Sequence, residues 1–246
     1  MRIRKPEKRK LLAGMPCLIS VYGIGSTAAY FTENAAVTIV FTTGNLEIAL
    51  EEPSWDPDEK DGRDMYPGYS IKKDPTVKNV TPDTNGKEPC YIRMCVELLD
   101  ESGSEIEDEK ALSLIYQTIY YDPSFEGGEK NGEKGITEGR VPGYRLEELN
   151  GYSMVNPLWE KDTIRSTAGK LIYNYKGLDG NGILDTGEQS TLFTDIVIPT
   201  DWGYEDIKRI GAYQLKITAE AIQSTDFATS KDAFRTLDEK IREEMP

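Results

Sequence analysis

The chain of 246 residues carries 29 Lys/Arg against 43 Asp/Glu, a net charge of −14, and has no histidine. That balance repels nucleic acid and anionic lipid headgroups. Without an imidazole, HExxH zinc hydrolysis and Ser-His-Asp or Cys-His catalysis are excluded, and 43 acidic residues make any one carboxylate pair uninformative.

Residues 1–10, MRIRKPEKRK, are strongly basic, and the next 15, LLAGMPCLISVYGIG, are apolar. STAA then offers the small residues a signal peptidase reads. The apolar run is shorter than the ~20 residues of a membrane span. The expectation is a secretory signal over residues 1–29, cut between Ala29 and Tyr30 with Ala28–Ala29 as the next choice, and a secreted or cell-surface protein. Without residues 1–29, 23 basic and 42 acidic residues remain, a net −19 that attracts cations or basic partners.

Residues 30–246 read as one mainly β domain. Val37, Ile39 and Phe41 alternate with Thr38, Val40 and Thr42; Gly44 punctuates; Leu46, Ile48 and Leu50 alternate again. Ile92, Met94, Val96 and Leu98 form a third alternating set, and Tyr213, Leu215, Ile217, Ala219 and Ala221 a fourth. Residues 171–175 and 192–198 are shorter strand candidates. Half-buried strands of this kind suit an antiparallel β-sandwich.

Two helices are expected. Ser104 with Glu107 reads as a capping box ahead of Leu112, Ile115, Tyr116 and Ile119 on one face, ended by Asp122-Pro123. Thr229 with Asp232 opens a short C-terminal helix with Phe234, Leu237 and Ile241 as its stripe. Residues 51–68 and 126–143 are polar and rich in glycine or proline, as loops are. Residues 104–160 thus form a helical and loop insertion within the strands. Trp55, Trp159 and Trp202 read as core or loop anchors.

If the strand at Cys90 runs straight to Cys95, five residues at ~3.3 Å separate them by roughly 16 Å, against a disulfide reach of about 7 Å. The two cannot bridge each other. Cys95 shares a face with Arg93 and Glu97, which reads as exposed and as a free thiol.

Residues 177–188, GLDGNGILDTGE, fit a calcium loop with Asp179, Asn181, Ile183, Asp185 and Glu188 as ligands and Gly182 at the turn. Gly177 stands where a first Asp is needed. The competing reading is a polar Asp-Gly/Asn-Gly hairpin. No cofactor is required; calcium is the candidate.

Three blocks in order resemble the TasA/camelysin (CalY) family of exported bacterial matrix proteins: GIGSTAAYFTENAAVTIVFTTGNLEIAL, KKDPTVKNV with EPCYIRMCVEL, and LFTDIVIPTDW with YQLKITAEAIQ. The resemblance implies a jelly-roll-like β-sandwich, processing by a SipW-type signal peptidase, and self-association into extracellular fibres of a biofilm matrix, with minor matrix proteins as further partners. It also implies a mature N-terminal segment, residues 30–44, that inserts as a donor strand into the next subunit. Val37, Ile39 and Phe41 could fill the acceptor groove; the alternative is that they form the first strand of their own sandwich. Some relatives have been labelled metallopeptidases, which the lack of histidine argues against. The expected function is a non-enzymatic fibre subunit. The alternative is a monomeric cell-surface module, calcium-assisted, that binds a glycan or protein.

Overall fold

The structure, a computed structural model, describes residues 35–37, 46–55, 66–82, 88–122 and 155–244. In chain order the elements are β1 (Ala35–Val37), β2 (Ile48–Glu51), β3 (Ser70–Lys72), β4 (Thr76–Asn79), β5 (Cys90–Asp100), α1 (Glu109–Thr118), β6 (Ile119–Tyr120), β7 (Trp159–Lys161), β8 (Lys170–Tyr175), β9 (Ile183–Leu184), β10 (Gln189–Thr191), β11 (Asp195–Val197), α2 (Tyr204–Ile210), β12 (Tyr213–Gln223) and α3 (Ser230–Glu244). The fold is mainly β, with antiparallel sheets and three helices among the described residues.

The largest sheet runs β1-β12-β5-β8-β7, with β9 also paired to β5. Its spine is β12 against β5, in antiparallel register from Tyr213↔Asp100 to Gln223↔Cys90. The two shorter sheets, β10-β4-β2 and β3-β11-β6, share two bent strands. Between β3 and β4, and between β10 and β11, backbone bonds continue through the bends: Lys73 N–H donates to Thr194 O at 3.0 Å and Leu192 N–H to Pro75 O at 2.9 Å.

One apolar cluster joins all three sheets. Ile92, Met94, Val96 and Leu98 from β5 and Leu215, Ile217, Ala219 and Ala221 from β12 meet Ile48, Ile71, Val77, Phe193 and Ile196. Each large side chain so buried contributes roughly 1.5–3 kcal/mol over the exposed state. Trp159 is buried and donates its indole N–H to Ser190 Oγ at 3.0 Å. Trp202 is buried, and Trp55 packs on the core edge under the Lys73 ammonium, 4.5 Å from the ring centroid.

Within KKDPTVKN, Lys73, Asp74, Thr76 and Asn79 are buried. Asp74 Oδ1 accepts from Ser54 N–H at 2.8 Å and Lys73 Nζ meets Glu52 Oε2 at 3.0 Å. Asn79 donates to Glu88 O and Leu184 O and accepts from Thr81 N–H. The segment stitches the end of β4 to the β9–β10 turn, so these polar groups keep their hydrogen bonds on burial.

Several expectations change. The first helix begins at Glu109, because Asp108 Oδ1 accepts from Lys110 and Ala111 N–H, while the Ser104 N–H is bound back to Asp100 Oδ1. It ends at Thr118, and Ile119 pairs with β11 instead of extending the helical stripe. Parts of residues 104–160 therefore supply strands, β6 and the start of β7. Cys95 is buried, not exposed, because the outer face of β5 is covered along Tyr91, Arg93 and Cys95. Burial pushes its thiol up to about 11. Cys90 and Cys95 are both free and lie in one unbroken strand, as their spacing requires. The C-terminal helix starts where its capping residues place it: Thr229 Oγ1 accepts from Asp232 N–H and donates to Asp232 Oδ2, and Phe234 and Leu237 are buried.

Candidate functional site

The first candidate is the sheet edge that carries β1. Ala35, Ala36 and Val37 lie opposite Ile217, Thr218 and Ala219, and this pair is parallel. It is the exception to the antiparallel expectation among the described pairings. In this single chain β1, with Val37, pairs with its own sheet. Ile39, Phe41, Ala29 and Tyr30 lie outside the described residues, as does the whole signal segment 1–29. β12 is 11 residues long and β1 pairs with three of them. Beyond those three, this side of β12 has no strand partner among the described residues.

The second candidate is the turn over 177–188, between β8 and β10. Asp179 Oδ1 accepts from Asn181 N–H at 3.1 Å, and Asp179 Oδ2 accepts from Asn181 Nδ2 at 2.7 Å. Asn181 Oδ1 accepts from Ile183 N–H at 2.7 Å. Ile183 opens β9 and pairs with Tyr91. Asp185 N–H donates to Glu188 Oε2 at 3.0 Å, closing a separate turn. Gly182 is the residue the bend demands, with φ 76° and Tyr175 O 3.0 Å from where a Cβ would stand. The five residues share a loop but close two turns, and no group of three or more His, Cys, Asp or Glu among the described residues is placed to hold a metal ion. Titration with millimolar calcium, read by calorimetry, is expected to give no more heat than the Asp185→Ala variant. A saturable heat lost in that variant would establish calcium as a ligand of this loop.

A third feature was not anticipated. On the outer face of β5, Arg93 lies between Glu220 of β12 and Asn174 of β8. Its Nε meets Glu220 Oε2 at 2.6 Å and its Nη2 meets Asp238 Oδ1 at 2.6 Å. Its Cζ sits 4.8 Å from the Phe234 ring centroid. Arg165 extends the chain of charges, from Asp238 Oδ2 at 2.7 Å to Asp162 Oδ2 at 2.8 Å. Burial works to raise Asp238, but the Arg93 and Arg165 guanidiniums outweigh it and hold this carboxyl below its ordinary value. A groove of about 680 Å³ between α3 and the sheet has six Lys/Arg and three Asp/Glu in its lining. Glu97, Asp162 and Asp232 pair with three of those cations, so little free positive charge remains. The sequence signal was Arg93 alternating with apolar residues on a strand whose other face is core, with Glu220 on a like strand.

Comparison with protein-family models, with curated proteins and with solved structures finds no match.

Proposed function

We propose that the chain is an exported structural subunit of an extracellular fibre or biofilm matrix, without enzymatic activity. In this reading residues 1–29 are removed by a SipW-type signal peptidase, and the fold is a jelly-roll-like sandwich. The N-terminal strand passes from its own β12 to the β12 of the next subunit. The observation that carries it is the pairing of β1: three residues, in parallel, on the edge of an 11-residue strand.

Each backbone hydrogen bond of such a ladder contributes a net ~0.5–1.5 kcal/mol, so the three described residue pairs by themselves hold β1 weakly. The same bonds form whether β12 belongs to the same copy or to a neighbour, which makes exchange between copies inexpensive. In a neighbour, the part of the β12 edge that has no strand partner among the described residues is available to a longer stretch of the arriving strand. A head-to-tail contact that does not close on itself grows into a filament. The acidic balance of the chain disfavours nucleic acid as a partner and favours association with its own kind when the charge is screened.

The test compares a chain starting at Tyr30 with one lacking residues 30–43, by electron microscopy and by urea unfolding. Filaments are expected from the first alone, with the second still unfolding cooperatively. Unchanged filaments from the shortened chain would refute the strand-exchange reading.

A further inference from the structure

On the sheet formed by β3, β11 and β6, Lys72 and Asp195 are directly opposed across the antiparallel β3–β11 pair. Lys72 Nζ lies 2.8 Å from Asp195 Oδ1, with the side chains 12% and 1% exposed. The other carboxyl oxygen, Oδ2, accepts from Thr194 Oγ1 at 2.6 Å. Burial, the largest influence, pushes Asp195 above its ordinary value; Lys72 and Thr194 pull it down, and the nearby Asp122 carboxylate adds to the push. A largely buried amine held 2.8 Å from a carboxyl that resists ionisation supplies the parts of a self-catalysed amide synthesis.

We propose that Lys72 and Asp195 are a modification site, joined by an intramolecular amide between Lys72 Nζ and Asp195 Cγ. The ammonium first gives its proton to the Asp195 carboxylate, leaving a neutral amine and a carboxylic acid. The Nζ lone pair attacks Cγ. The proton that Nζ then sheds passes to the departing hydroxyl, which leaves as water. One C–O bond breaks, one C–N bond forms, and one water leaves; no oxidant or other reactant is needed. Thr194 holds Oδ2, which becomes the amide oxygen.

Two physical effects favour the reaction here. In water the two groups are ionised and unreactive toward each other, whereas a carboxyl shut away from solvent favours its neutral form. Holding the reacting atoms in contact replaces a bimolecular encounter, with effective molarities on the order of 10⁵–10⁸ M for well-oriented pairs. A neutral amide also relieves the desolvation penalty that a buried ion pair carries.

Intact-mass spectrometry of the purified full chain decides the matter. The expected mass is one water, about 18 Da, below that of the sequence. Trypsin is expected to release residues 64–73 joined to residues 177–208, since Lys72 is blocked. Lys72→Arg and Asp195→Ala are expected at their full sequence masses, a readout that does not depend on how well either variant folds. A wild-type chain at full mass with cleavage at Lys72 would overturn the proposal. So would a water loss that persists in Lys72→Arg, which would assign it to cyclisation at an Asp-Gly pair such as Asp179-Gly180.

Discussion

Arg93→Leu is expected to destabilise the folded chain by about 3 kcal/mol, the lower end of the cost of removing one member of a buried ion pair. The guanidinium is 7% exposed, while its partners Glu220 and Asp238 keep 21% and 20% of their side-chain surface. Those carboxylates can recover part of their hydration, which sets the lower end. What they lose is a planar fork bridging β12 to α3, stacked on Phe234. Arg93→Lys is expected to recover only part of the loss, because an ammonium is a point charge without that fork. Urea midpoints with an unchanged slope would report the difference; a shift below roughly 0.5 kcal/mol would mean that the network adds nothing.

The same network sets a pH dependence. Asp238 and Asp162 both titrate below their ordinary value of 3.8 in the folded chain. A lowered folded-state pKa gives stability that is present above the unfolded value and lost as pH falls through the folded one. The wild-type chain is therefore expected to lose more stability between neutral pH and about pH 3 than Arg93→Leu, which has already lost part of this contribution.

Phe193→Ala is expected to cost about 3–5 kcal/mol. Phe193 is 0% exposed and lies between β10 and β11, with Leu192 and Thr194 equally enclosed. Its neighbours carry backbone bonds that run the two bent strands past each other. A cavity there is flanked by structure that cannot easily close in, because both strands are tied at the bend. Phe193→Leu keeps most of the volume and is expected to cost well under half as much. Equal losses in the two variants would show that the site tolerates a void and that packing is not what holds the bend.

How far the sequence carried the fold depends on which neighbours decide each element. β12 was readable from Tyr213 to Ala221, where five core residues alternate with polar ones and burial follows; its end was not, because Ile222 on the opposite face is buried too, in the cluster with Phe234 and Leu237. α3 was readable from Thr229, whose capping bonds are local. α2 was not, since none of its residues is buried and it leaves no apolar period; its start rests on Gly203 N–H donating to Asp206 Oδ2. Cys95 was misread because the strands that flank it, paired at Ile172 of β8 and Thr218 of β12, come from far later in the chain. The candidate edge was half legible. Val37 lies in a strand, but pairing direction is a property of topology and no local pattern encodes it. The Lys72–Asp195 pair was invisible, since a Lys and an Asp on strands read as solvent-facing residues until the partner strand brings them together.

The parallel sense of β1 against β12 has a mechanical meaning. Suppose β1 is drawn from its upstream end while β12 is held from its downstream end, where α3 follows. In a parallel pair those two ends lie at opposite extremes of the ladder, so the strands are dragged lengthwise past each other and every cross-strand bond is strained at once. In an antiparallel pair the same two grips would sit at one extreme, and the bonds would open one after another. Tension along the polypeptide therefore meets this joint in its resistant direction, and rupture is governed by how slowly it gives way under load rather than by its equilibrium strength.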